Sequence, residues 1–177
     1  MKLWIPLAAA SWLLLLAGPM AAQAASAHEH GLARIDIAVD AGRLDIVLDT
    51  PLDNLLGFER APRNDAERQQ ADAAVAALKA GARLFVIDPL AACALTGVEL
   101  KSAVLKLGLA AAGSAAEHAD MEASWTFTCK GPAPAHVDVA LFGAFKRLGR
   151  IEVQAATPKG QSRTTLKRPA QRVPLPR

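Results

Sequence analysis

The stretch Ala33-Arg34-Ile35-Asp36-Ile37-Ala38-Val39-Asp40 decides the fold. Ile35, Ile37 and Val39 alternate with Arg34, Asp36 and Asp40, the period-two pattern of a strand that buries one face. Ala41-Gly42 follows as a hairpin turn, and Leu44, Ile46 and Leu48 repeat the alternation until Thr50-Pro51 ends the second strand. The folded part of the chain therefore opens on a β-hairpin.

Working outward toward the C-terminus, Asn64 or Asp65 caps a helix that runs to about Ala80. Ala71, Val75 and Leu78 recur there at helical spacing, and Gly81 is the expected stop. Leu84 to Ile87 reads as a short strand, and Leu95 to Leu105 alternates as the start of a second sheet region. Gly108 to Ala116 is small and uncharged, a loop that delivers the chain to His118-Ala119-Asp120-Met121-Glu122. Strands near Arg150 to Ala156 and Ser162 to Lys167 close the pattern, ahead of a Pro-rich tail expected to fray. The fold class is mainly β (α+β): a single domain of antiparallel sheets with one long helix. Whether the strands form a sandwich or one continuous sheet is left open by periodicity.

The two ends of the pattern resemble each other. His30 and His118 each lead into a strand pair, then an apolar turn (Pro51 to Phe58, Leu141 to Leu148), then a glutamate (Glu59, Glu152). Two pseudo-repeated β units joined by the helix account for this, and so does chance similarity between two β-hairpins.

Toward the N-terminus, Lys2, the apolar run Leu3 to Gly18 and the small-residue patterns Ala22-Gln23-Ala24 and Ala25-Ser26-Ala27 make residues 1–27 a signal peptide expected to be cleaved. An uncleaved membrane anchor is the alternative; Pro19 and the small residues favour cleavage. Export makes the expected location periplasmic, with no membrane span in the product. Residues 28–177 are long enough for one domain with a sizeable core. Losing Lys2 lowers the formal net charge from +3 to +2, and the excess lies in the tail at Arg163, Lys167, Arg168, Arg172 and Arg177. The chain has no Tyr and the basic tail no aromatic, which argues against nucleic acid as a partner.

Cys93 and Cys129 are the two cysteines. An oxidising compartment favours pairing them as a disulfide; a Cys-based zinc or copper site is the alternative reading. No HExxH helix, GxSxG elbow or phosphate-binding glycine loop occurs, so an enzyme is not expected.

The chemistry concentrates in His28-Glu29-His30-Gly31, directly behind the signal. Zinc takes imidazole and carboxylate donors in a tetrahedron, and His28, His30, His118 and nearby acids supply them. His118, Asp120 and Glu122 share one strand face at period two, although a solvated edge is the simpler reading of Glu122. Glu59, in Gly57-Phe58-Glu59-Arg60, is either a ligand or the partner of an arginine. His136 reads as an ordinary solvated side chain.

In their order, these pieces resemble the ZrgA-type periplasmic zinc-binding proteins. The likeness rests on His28-Glu29-His30-Gly31, Pro51 through Gly57-Phe58-Glu59 with Ala61-Pro62, Cys93, His118-Ala119-Asp120, Phe127-Thr128-Cys129, Leu141-Phe142, Ile151-Glu152-Val153-Gln154 and Gly160-Gln161. It covers essentially the whole mature chain. The resemblance implies a zinc-binding accessory of a zinc ABC importer, with His30, Glu59, His118 and Asp120 at the positions of the HxHG, GFE and HxD patterns. Many relatives carry a histidine-rich loop before HxD and a histidine after the GFE glutamate. Here these are the bland Gly108 to Ala116 loop and Arg60, which puts multi-ion loading in doubt. The proline usual in the apolar turn after Phe145 is replaced by Lys146. Two rival functions follow from the residues themselves. Cleavage after Ala27 would leave a free amine on His28 with His30 third, a nitrogen cluster suited to copper(II) or nickel(II) buffering. A metal-free, disulfide-stapled envelope module would bind a protein partner through the apolar turns.

Overall fold

A computed structural model describes residues 29–108 and 119–177. The opening hairpin is as the alternation predicts: β1 (Leu32–Asp40) and β2 (Arg43–Pro51) pair antiparallel, with Ile35 facing Leu48 and Ile37 facing Ile46. Ala41 and Gly42 both take positive φ, 42° and 81°, the pair of left-handed residues that lets a two-residue turn match strand twist.

A short helix α1 (Leu52–Leu56) follows β2 directly, and the long helix α2 (Asp65–Lys79) comes next. Asn64 caps α2, its side chain accepting from the Glu67 N–H at 2.9 Å. Its buried face is Ala71, Ala74 and Leu78, whose small residues allow close approach to the sheet. Gly81 does not stop the chain from turning helically; it begins another turn, α3 (Gly81–Leu84). Its glycine is required by packing, because a Cβ there would lie 2.1 Å from Trp125 Cδ1. Trp125 is fully buried, donates its indole N–H to the Leu78 carbonyl at 2.8 Å, and meets the Phe85 ring at a centroid distance of 4.7 Å.

The remaining elements are β3 (Phe85–Ile87), a 3₁₀ turn (Pro89–Ala91), β4 (Cys93–Lys101), β5 (Asp120–Cys129), β6 (His136–Val139), α4 (Leu141–Ala144), β7 (Arg150–Thr157), β8 (Gly160–Lys167) and β9 (Arg172–Pro174). Six strands form one sheet in the order β4-β5-β2-β1-β7-β8, and β3-β6-β9 form a second. All neighbours are antiparallel except β1 with β7, which run parallel. Helices and both sheets share one apolar core, in which each fully buried Leu or Ile contributes about 1.5–3 kcal/mol. Cys93 and Cys129 are bonded, stapling β4 to β5 at facing positions.

Two further expectations change. The tail is not frayed: β9 pairs with β6, and Val173 and Leu175 enter the core because they alternate like any strand. The order strand, strand, short helix does recur in the second half, but its pairing does not. β1 and β2 make a hairpin, whereas β5 and β6 lie in different sheets. Among the described residues no helix is long and apolar enough to cross a membrane, and the expected signal segment lies outside them.

Candidate metal centre

At one end of the six-stranded sheet, the starts of β1, β5 and β7 meet the end of β2: Leu32 is level with Arg150, and Pro51 with Asp120. His30 stands just before β1 on a turn that needs glycine, since Gly31 has φ 83°. The turn is held on all sides. The Gly31 carbonyl accepts from the N–H groups of Gly149 and Arg150 at 2.8 and 2.9 Å, and the Leu32 N–H donates to the Glu29 carbonyl at 3.1 Å. Arg150 also binds the Glu29 carboxylate at 3.0 Å.

Glu59 reaches the same place from α1. Gly57, at φ 80°, ends that helix in the left-handed conformation with its N–H on the Asp53 carbonyl at 2.8 Å, and the chain turns outward through Phe58. Arg60 then points away. Its guanidinium lies 4.9 Å from the centre of the Phe58 ring and donates to both Glu67 carboxylate oxygens, at 2.6 and 2.8 Å. Glu67 is held at a pKa of about 2 by Arg60 first and by the Arg63 N–H second. Arg147 likewise donates to the Asp53 carboxylate and carbonyl, at distances from 2.9 to 3.3 Å. These arginines are spent on other acids, and among the described residues Glu59 meets a histidine and not an arginine.

Glu59 faces His30: Oε1 lies 3.0 Å from the imidazole Nε2. Both side chains are open to solvent, His30 at 65% and Glu59 at 38% exposure. Two donors on a tetrahedral zinc stand about 3.4 Å apart at ordinary Zn–N and Zn–O lengths, so this pair would admit an ion by opening a few tenths of an ångström. Asp120, half-buried, opens β5 opposite Pro51. Ala119 accepts from the Leu52 N–H at 2.8 Å, which ties the start of β5 to the start of α1. His28 and His118 lie outside the described residues. Among the described residues, no three His, Cys, Asp or Glu side chains gather closely enough to hold a metal ion.

The other candidates have plainer partners. Glu122 is solvated and pairs with Lys101 at 2.9 Å, though on β5, an interior strand of the sheet, and not at the expected edge. His136, in β6, has Asp88 and Asp138 each 4.0 Å from one of its ring nitrogens. Asp88 accepts the N–H groups of Ala135 and Leu90, which lower its pKa more than nearby His136 does. Asp138 is lowered chiefly by Arg172, which binds both its oxygens at 2.7 and 2.8 Å.

Sequence reasoning passed over Asn54 and Arg147. The signal for Asn54 was its place among the leucines of Leu52-Asp53-Asn54-Leu55-Leu56, where it is 1% exposed. Arg147 has no local signal, because its partner Asp53 lies 94 positions away. A family model described as ZrgA family zinc uptake protein matches residues 27–175. No curated protein matches the chain.

Proposed function

The chain belongs to the ZrgA family of zinc uptake proteins, and on that premise we propose that it captures zinc in the periplasm and hands it toward a zinc ABC importer, with no catalytic step. The observation that carries the site is the His30–Glu59 contact at 3.0 Å, in a region where the neighbouring arginines already hold other acids. His30 offers a neutral imidazole lone pair, Glu59 a carboxylate, and Asp120 a second carboxylate carried on β5 near α1. His118, next in the chain to the anchored Ala119, is assigned as the second imidazole, and His28 as an auxiliary donor.

Exposure suits the task. His30 and Glu59 are both open to solvent, so an ion held between them stays accessible to an incoming acceptor. An ion bound at the rim of a sheet, by side chains on a braced turn and a braced helix end, can be loaded and released without unfolding anything. Cleavage after residue 27 would deliver this rim to the periplasm, where the Cys93–Cys129 bond is stable.

Calorimetric zinc titration of the purified protein tests the proposal. One tight equivalent is expected, weakened at least about tenfold by His30→Ala or His118→Ala, since even outer-sphere losses commonly cost that much. Both single variants titrating like the wild type would refute the ligand assignment.

A further inference from the structure

Asn54 is almost wholly buried, and its side chain makes three hydrogen bonds. Its Oδ1 accepts from the Gly31 N–H at 2.6 Å, while its Nδ2 donates to the Leu32 carbonyl at 2.7 Å and to Thr50 Oγ1 at 2.9 Å. The orientation of the amide is fixed by these partners, since an N–H can meet only the oxygen and a carbonyl only the nitrogen. No other side chain of this size offers an acceptor and two donors in one plane: Asp lacks the donors and Leu lacks both. The three bonds use both donors and the oxygen of an amide that lies among the buried Leu52, Leu55 and Leu56, where an unpaired amide is costly.

These bonds join two segments 23 positions apart. On one side are Gly31 and Leu32, the residues immediately following His30. On the other is α1, whose end at Gly57 sends the chain to Glu59. Both halves of the His30–Glu59 pair are therefore referred to one buried amide.

We infer that Asn54 is the positioning residue of the proposed zinc site, holding the His30 turn against α1 so that the His30 imidazole and the Glu59 carboxylate stand ready at contact distance before an ion arrives. The inference rests on the zinc reading for its purpose, but the hold itself exists in the metal-free protein and can be measured there. Thr50 separates positioning from simple stability. It is fully buried and accepts only one of the Asn54 bonds, whereas the bonds to Gly31 and Leu32 are made by Asn54 itself.

The test compares wild type, Asn54→Ala, Asn54→Asp and Thr50→Val in the purified protein at one fixed pH. The two readouts are nuclear Overhauser signals between the His30 ring and the Glu59 side chain without metal, and zinc Kd by chelator competition. Asn54→Ala is expected to abolish the Overhauser signals and raise Kd about tenfold or more. Thr50→Val, which removes one acceptor of Asn54 and leaves its bonds to Gly31 and Leu32, is expected to lower the melting temperature while changing both readouts much less than Asn54→Ala. Asn54→Asp keeps the acceptor for Gly31 and loses the donors; it should weaken both readouts to a smaller degree, and it decides the matter if the alanine variant does not fold. Unchanged Overhauser signals and Kd in a folded Asn54→Ala, or in Asn54→Asp where the alanine variant fails, overturn the inference. So does an equal effect in Thr50→Val, which would mark general loosening. Disappearance of the Overhauser signals with an unmoved Kd would support the hold and count against the zinc site instead, so the two failures are told apart.

Discussion

His30 and His136 sit in neighbourhoods of similar composition, each with a carboxylate within 4.0 Å and arginines nearby, and they differ in what those carboxylates are already doing. Around His136, Asp88 is occupied by two backbone N–H groups and Asp138 by both arms of Arg172. Around His30 the arginines have been drawn off: Arg150 to Glu29, Arg147 to Asp53, Arg60 to Glu67. Glu59 is left facing the imidazole. The proposed metal site thus differs from the His136 neighbourhood in that Glu59 meets the imidazole while nearby arginines meet other acids, and an inventory of nearby residue types does not show that.

The strongest way to break this contrast is thermal. A ligand that binds only the native state at a hundred times its Kd stabilises by about 2.7 kcal/mol, so zinc should raise the melting temperature of the wild type and of His136→Ala by several degrees, and that of His30→Ala by about half as much or less. Equal zinc shifts in both variants would erase the difference between the two histidines. Next in size is affinity: Glu59→Gln should raise zinc Kd at least about tenfold, whereas Asp88→Asn should leave it unchanged while lowering the melting temperature. Competition with a chromophoric chelator measures the first and a melt the second.

Smaller effects sharpen the same point. Asp138→Ala removes a partly exposed pair with Arg172 and should cost about 0.2–1 kcal/mol in denaturant unfolding, with no effect on zinc. The Arg60–Glu67 pair should appear in the acid limb of stability. Glu67 is held at about 2 in the folded protein against an ordinary 4.5. As pH falls, the unfolded chain therefore takes up the proton first. The contribution is complete above pH 4.5 and is lost between 4.5 and about 2. Glu67→Gln should flatten that part of the curve and leave the slope near pH 7 unchanged; an identical acid limb would mean that the pair does not draw Arg60 away from Glu59 in solution.

Much of the fold was legible because alternation is a local signal. β1 and β2 announce themselves in Ile35, Ile37, Val39, Leu44, Ile46 and Leu48, every one of them buried. Partners are not local: nothing in Arg150–Thr157 says that it lies parallel to β1, or that β5 and β6 part into different sheets. Proline suggested a loose tail, yet Val173 and Leu175 needed only alternate positions to be buried. Gly81 fitted a helix stop by type, while its actual constraint is an indole 44 positions later in the chain. In the proposed site, donor chemistry and the family resemblance singled out His30 and Glu59, which the fold brings into contact. Asn54 was not, because its work is defined by Gly31 and Leu32, which only the folded chain brings to it.

The assignment of zinc to the His30 rim is tested most directly by anomalous diffraction from zinc-soaked crystals, collected on both sides of the zinc absorption edge. A single strong peak within about 2.2 Å of His30 Nε2 and a Glu59 carboxylate oxygen is the expected result. A peak beside His136, or none near Glu59 in crystals saturated with zinc, would contradict it.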